Sequence, residues 1–234
     1  MTFSVIIPTY NEEDVIVDII AAVRNEISPL EEIIIVDDNS TDLTRLRVEQ
    51  SARADRKIRL IRRDNERNLA AAIAEGIRCA AGDWVMWFDA DFSAPPGTLT
   101  ALINSASGAD IVVASRYVRG GKDARDDFLR VAASYIFNWF ARLVLRTAVK
   151  DLTSGQIIAR RSIFDCLAIK GLYGEYCIRF LYEASRKGFK IKETPYVYFS
   201  RKKGKSKTTA SPGQFLKYCL VYVSEVFKLT RSKS

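Results

Sequence analysis

The sequence of 234 residues contains no histidine. This removes both the commonest general base near neutral pH and the commonest transition-metal ligand. Catalysis in such a chain rests on carboxylates, cations, hydroxyls, thiols or a hard metal ion. Cysteine is scarce: Cys79, Cys166, Cys177 and Cys219 are far apart and form no CxxC pair. Neither a zinc site nor a disulfide framework is indicated, and a reducing cytosol is the simplest setting. Long hydrophobic runs are also missing. The longest stretch without charge, Phe92 to Ala109, holds Pro95, Pro96, Gly97 and several Ser and Thr, which makes it too polar to cross a bilayer. The start, Met1-Thr2-Phe3-Ser4-Val5, lacks the basic region and apolar run of a secretory signal. Neither a signal peptide nor a transmembrane helix is expected.

What is present suits a globular chain of one compact unit, with 48% hydrophobic and 27% charged residues. The net charge of +8 is unevenly placed. From Arg186 to Ser234 there are 13 Lys and Arg against two acids, Glu193 and Glu225, or +11; the first 185 residues carry 23 against 26, or −3. Such a terminal section is either a solvated tail or a site for phosphates or anionic lipid.

The first 115 residues alternate strand and helix. Phe3 to Pro8 and Glu32 to Asp37 read as buried parallel strands, and Val15, Ile16, Ile19, Ile20 and Val23 place a helix over residues 12–26 between them. Asn39-Ser40-Thr41-Asp42 is an N-cap signal for a second helix, and Lys57 to Ile61 reads as a third strand. A third helix runs through Leu69, Ile73, Gly76, Ile77 and Ala80, and strands follow at Trp84 to Phe88 and Asp110 to Ala114. The expected fold class is α/β, an open, mostly parallel sheet whose ligands sit beyond the carboxyl ends of the strands. Residues 128–147 then form a long helix with Arg130, Ser134, Asn138, Arg142 and Arg146 four apart, leaving a wide apolar face with aromatics near it. Gln214 to Leu229 is a second amphipathic segment. Each either packs on the sheet or lies in a membrane interface.

The sharpest chemical signal is Asp89-Ala90-Asp91 at the end of the strand 84–88. Two carboxylates at one strand end suit a hard divalent ion that also binds a diphosphate. Glu12 and Asp37-Asp38 follow the first two strands and converge on the same edge. Asp37 and Asp38 either accept hydrogen bonds from a base or ribose, or cap the next helix.

Seven segments in order then carry a resemblance: Val5 to Glu12, Ile35 to Ser40, Gly82-Asp83, Asp89 to Pro96, Ser115 to Gly121, Asp151-Leu-Thr-Ser-Gly155 and Arg201 to Lys207. From residue 3 to about 208 the chain resembles the family 2 glycosyltransferases of GT-A fold, and within them the dolichol-phosphate or polyprenol-phosphate mannose synthases. The resemblance implies a nucleoside pocket at Pro8, Tyr10, Glu12, Val36 and Asp38. It implies a donor-diphosphate and Mg2+ or Mn2+ segment at Asp89, Ala90 and Asp91, with Asp91 the more direct ligand and Ser93 where some members have Gln. Arg116 and Arg130 match cations near the lipid phosphate, and Arg201 and Lys207 match a basic loop closing over the phosphates. The implied layout is a glycosyltransferase domain over residues 1–208, with a nucleotide-binding half (1–115) and an acceptor-binding half (116–208). A basic amphipathic helix follows over 209–234.

The implied reaction is inverting, metal-dependent transfer of mannose from GDP-mannose to a polyprenyl phosphate at the cytosolic membrane face. The alternative is a UDP-sugar donor, with a polyprenyl phosphate or a saccharide as acceptor. A phosphate monoester is already ionised near neutral pH and needs no general base, which suits a chain without histidine. A saccharide hydroxyl does need one, and Asp151 is the only evident candidate. The chain departs from the family at Asn68, where Gly is common, at Gln156 after Thr-Ser-Gly, and at Arg179, where an acid or amide is frequent; these leave sugar and base open. Nucleic acid is not an expected partner, because the strand-end acids would repel a backbone. Peripheral membrane contact is expected, through the amphipathic helices or a small membrane-protein partner.

Overall fold

Side chains alternate between the two faces of a sheet, so a strand covered on both sides needs apolar residues at nearly every position. Val5-Ile6-Ile7 and Ile33-Ile34-Ile35-Val36 meet that need, and all seven are at most 1% exposed. They form the centre of β1 (Phe3–Thr9) and β2 (Leu30–Asp38). The computed structural model describes residues 1–64, 67–89, 94–95, 97–200 and 212–231. Between and after these strands run α1 (Ile16–Glu26), α2 (Thr44–Ala54), β3 (Ile58–Arg63), α3 (Leu69–Cys79), β4 (Trp84–Trp87), α4 (Thr98–Ser105) and β5 (Ile111–Ser115). The second half adds β6 (Lys122–Asp123), α5 (Phe128–Leu145), β7 (Ile157–Arg160), a 3-10 turn (Arg161–Asp165), α6 (Glu175–Arg186), β8 (Ile191–Pro195), β9 (Val197–Tyr198) and α7 (Pro212–Arg231).

The main sheet has the order β3-β2-β1-β4-β7-β5-β8. Only β7 runs antiparallel, between β4 and β5. The open, mostly parallel sheet read from the sequence is the one observed, extended by two strands from the second half. Ile6, Ile34, Val36 and Trp87 face α3, α5 and α6, whereas Val5, Ile7, Ile33 and Met86 face α1 and α4. Helix α3 lies very close to the sheet at Gly76. A Cβ there would collide with Ile6 Cγ2 and come within 3.2 Å of Val36 Cγ2. Gly76→Ala is therefore expected to push α3 outward and to cost about 1–3 kcal/mol, the usual penalty for overpacking. Urea unfolding monitored by circular dichroism measures that loss.

Helix α5 is amphipathic in the opposite sense to a core helix. Its polar stripe points inward: Asn138 is 2% exposed, donates to Thr153 Oγ1 (2.9 Å) and accepts from the Leu152 N–H (2.8 Å). Its apolar side points outward, with Phe128, Leu129, Ile136, Trp139 and Leu143 all more than 60% exposed. This helix is long and apolar enough to cross a membrane by length and composition, a property the sequence reading did not assign to it. The buried amide of Asn138 nevertheless seats it along the domain. Helix α7 packs beside it through the ring pairs Phe137–Tyr222 and Phe140–Phe227, and it too leaves leucines outside, Leu216 and Leu220.

Candidate active site

Strands β1 to β4 are parallel, and their carboxyl ends share one edge of the sheet. The loops leaving β1 and β2 there are tied together. Asn11 donates its backbone N–H to Ser40 Oγ (2.9 Å), its Oδ1 accepts from the Thr41 N–H (2.8 Å), and the Glu12 N–H donates to Thr44 Oγ1 (2.9 Å). Asn11 and Asn39 adopt the left-handed conformation, with φ of 51° and 67°, which asparagine tolerates better than most residues. Tyr10 and Glu12 are thereby fixed, half-buried, on the rim. The Arg67 guanidinium lies 4.2 Å over the Tyr10 ring, a cation–π contact that sequence spacing gave no reason to expect. Pro8 is also half-buried and stands opposite Val36 in the ladder. Val36 differs from expectation: its side chain is wholly buried in the core beneath Gly76, so it offers a ligand no side chain.

The two aspartates ending β2 hold the surrounding loops. Asp37 is fully buried, accepts from the Ser40 N–H (3.0 Å) and pairs with Arg45. Asp38 pairs with Arg63 and accepts from the Asn68 N–H (2.7 Å). Burial raises the Asp38 carboxyl above its ordinary value, against the opposing pull of the Asn68 N–H and Arg63. Asn68, where the family commonly has glycine, caps α3, its Oδ1 accepting from the Ala71 N–H at 2.9 Å. That departure thus has a local structural role.

Asp89 follows β4 and is half-buried. A Cβ on Gly155 would come within 3.3 Å of its Oδ2, so the carboxylate can lie this close to residue 155 because that residue is glycine. A half-buried carboxylate at a strand end is the kind of oxygen donor that fits a hard divalent cation. The start of α6 lies nearby. Burial first, then the neighbouring negative charges including Asp89, push the Tyr176 hydroxyl and the Cys177 thiol well up; both stay neutral, and Cys177 is no nucleophile. Ala90, Asp91, Ser93, Arg201 and Lys207 lie outside the described residues.

Arg116 does not stand as an exposed cation. It is 7% exposed and forked onto Asp151, with Nε to Oδ2 and Nη2 to Oδ1 both at 2.8 Å. Nη1 reaches Asp123 (3.2 Å) and Ser134 (3.3 Å), and Nη2 also reaches Thr153 (2.8 Å). Burial alone would lower its pKa, but Asp151 pulls it further above the ordinary arginine value. Asp151 is itself fully buried. Arg116 therefore joins the end of β5 to α5 and to the Asp151 turn. Arg130, in the first turn of α5, pairs with Asp127 at 2.9 Å and is the more accessible of the two arginines.

The sequence model of glycosyl transferase family 2 matches residues 4–168. The chain belongs to that family. The expected enzyme class, a glycosyltransferase, agrees with this membership, as do the motifs quoted for it. Among curated relatives, the dolichol-phosphate mannosyltransferase of Pyrococcus furiosus is 31% identical over 211 residues, which are 88% of this chain and 59% of that protein. The polyprenol monophosphomannose synthase of Mycolicibacterium smegmatis is 30% identical, over 88% of this chain and 81% of its own length. The chain thus spans less than two thirds of the Pyrococcus relative. Among solved structures, glucosyl-3-phosphoglycerate synthase from Mycobacterium tuberculosis, in complex with Mn2+, UDP and glucosyl-3-phosphoglycerate, superposes with a TM-score of 0.73 at 19% identity. That superposition covers 97% of this chain and 79% of the other. The GT-A fold expected from the resemblance is shared with that structure.

In this family 2 chain the sequence reading brought Pro8, Tyr10, Glu12, Asp38 and Asp89 to one edge, as the strand ends required. It missed Gly155 as the neighbour of Asp89, Arg67 on Tyr10, and the fork between Arg116 and Asp151. Both Asp151 and Gly155 stand in the quoted segment Asp151-Leu-Thr-Ser-Gly155, so that segment was the available signal. Its two ends serve different partners, which only the return of β7 beside β4 makes apparent.

Proposed function

We propose that this glycosyl transferase family 2 protein transfers mannose from GDP-mannose to a polyprenyl phosphate, with inversion, at the cytosolic face of a membrane. The observation that carries this reading is the state of Asp151. A hydroxyl acceptor needs a general base, and the carboxylate available for that task is buried and forked onto Arg116. A phosphate acceptor, whose second ionisation lies near pH 6, supplies its own charged oxygen. The names of the mannosyltransferase relatives support the sugar and the lipid phosphate.

In this reading the donor's nucleoside lies against Pro8, Tyr10, Glu12 and Asp38, on the rim that Asn11 and Ser40 hold in place. Asp89 and Asp91 would hold Mg2+ or Mn2+, which when bound supplies positive charge against the departing diphosphate. Arg130, Arg201 and Lys207 attract the acceptor phosphate, and Arg116 ties the Asp151 turn to α5, the helix that carries Arg130. The acceptor oxygen attacks the anomeric carbon in line with the leaving group, so the protein contributes positioning and electrostatic stabilisation. The outward apolar faces of α5 and α7 rest in the membrane interface, where the isoprenoid tail of the acceptor lies.

Purified protein with Mg2+ or Mn2+, radiolabelled GDP-mannose and a polyprenyl phosphate is expected to yield a labelled lipid, and Asp91→Ala to remove it. The absence of a labelled lipid with any nucleotide sugar contradicts the proposal. Thermal stabilisation by GDP is expected to exceed that by UDP when Mn2+ is present. The opposite order assigns the donor to the UDP-sugars, which the UDP-bound structural neighbour makes the second reading.

A further inference from the structure

A concavity of about 670 Å³ opens between α6 and α7, beside residues 170–172, and adjoins the strand-end edge, since the Leu172 carbonyl accepts the Leu69 N–H at the start of α3. Its floor is apolar, with Leu172, Leu220 and Val221, and its walls carry four cations, Lys170, Arg179, Lys217 and Lys228. Two carboxylates also line it, but both are engaged within the fold. Glu175 accepts the backbone N–H groups of Leu172 (2.7 Å) and Tyr173 (3.0 Å), and Glu225 pairs with Arg179 at 2.5 Å. The side-chain amines of Lys170, Lys217 and Lys228 have no hydrogen-bond or ion-pair partner among the described residues. Four cations against two carboxylates leave the lining with a net positive charge of two around an apolar floor.

Its position narrows the class of ligand. Lys217, Val221, Ser224 and Lys228 are four, three and four residues apart and share one face of α7. Leu220 lies at the border between that face and the outward one, and it is 63% exposed. Leu172, on the opposite lip, is 57% exposed. The groove thus opens onto the same apolar surface of α7 that adjoins α5, where a soluble anion would leave leucines in water. A molecule with a negative phosphate and adjoining hydrocarbon satisfies both parts, because lysine acts on phosphate as a point charge while the floor takes the apolar remainder.

We propose that this groove binds the headgroup of an anionic membrane phospholipid, beside the substrate-binding edge but through residues not assigned to the donor or the acceptor. The inference rests on the membrane reading given above and adds a lipid-selective contact to it. Arg179 takes part by holding Glu225, which would otherwise repel the phosphate.

The test uses the full chain and flotation with two kinds of vesicle, phosphatidylcholine alone and phosphatidylcholine mixed with phosphatidylglycerol. One basic residue near an anionic surface contributes about fivefold in partition. Lys170→Gln/Lys217→Gln/Lys228→Gln is accordingly expected to lose about a hundredfold of the preference for the mixed vesicles, while keeping sugar transfer measured in detergent. A control with the same charge change elsewhere, Lys150→Gln/Lys187→Gln/Lys190→Gln, is expected to stay within about fivefold of the wild type. Equal losses in the two variants, or an unchanged preference in the first, overturn the groove. Inorganic phosphate at matched ionic strength is expected to leave the preference intact; its loss there assigns the groove to free phosphate and overturns the lipid. Wild-type binding that is equal on both vesicle types overturns only the groove, whereas no vesicle binding at all overturns the membrane reading itself.

Discussion

Asp89→Asn is expected to lower sugar transfer by about 10²- to 10³-fold, the range seen when one charge-stabilising group is lost from an active site. The substitution keeps the volume of the side chain and removes its charge. Asp89 stands half-buried at the end of β4 with its carboxylate close against Gly155, and the amide has nearly the same shape, so the fold is expected to be kept. A hard cation binds a carboxylate far better than an amide. The thermal stabilisation that GDP gives in the presence of Mn2+ should therefore disappear along with transfer. The midpoint of the unliganded protein is expected to move by no more than about 2 °C, less than 1 kcal/mol in a chain of this size. Labelled-lipid formation and a thermal melt with and without Mn2+ make the two measurements. Activity within about threefold of the wild type would remove Asp89 from the charge-stabilising machinery, given the size of effect such groups show.

Arg116→Met is expected to act in a different way, through the fold. It strands the Asp151 carboxylate, which is fully buried and forked onto Arg116. Breaking a buried pair from one side costs about 3–5 kcal/mol. At about 2–4 °C per kcal/mol for a chain of this length, the midpoint should fall by about 6–20 °C. Arg116→Lys should rescue little, since an ammonium cannot make the planar two-pronged contact. The double variant Arg116→Met/Asp151→Leu should recover much of the loss, because no buried charge is left uncompensated. Calorimetry of the three variants, with transfer assayed below the lowered midpoint, separates this role from a direct one. An unchanged midpoint with transfer lost would return Arg116 to the part the family resemblance gave it, a cation facing the acceptor phosphate.

These two residues show where sequence reasoning reached and where it stopped. Asp89 was legible because a strand followed by acids has few places to put them: the strand is buried, its carboxyl end is not, and neighbouring parallel strands end on the same side. Arg116 was read by its position in a motif. Its conformation depends on Asp151, 35 residues away, and on a loop whose place is set by β7 returning antiparallel between β4 and β5. Nothing local in Ile157-Ile158-Ala159-Arg160 announces that insertion. Asp38 lies between these cases. Its position at the edge followed from the end of β2, whereas its pairing with Arg63 and the Asn68 N–H required the loop after β3 to fold back over it.

The helices of the second half make the same division. Residue spacing determined that α5 would be two-sided, with polar positions every fourth residue and aromatics between them. It did not determine which side would meet the protein, since either face can be buried if the partner surface matches it. The tertiary structure decided that point through Asn138, whose amide satisfies Thr153 and the Leu152 N–H, and through Ser134, which completes the shell of Arg116. Once those polar groups are inside, the apolar face must lie outside.

The sequence by itself determined the chemistry open to this protein. A chain without histidine must work through carboxylates, cations, hydroxyls, thiols or a hard metal ion, and buried parallel strands carry its acids to one edge. Which of those charges remain available to a substrate was decided only by the tertiary structure. Whether an ionic group is neutralised depends on partners far away in the chain and on exclusion of water around both, and neither is a property of local sequence.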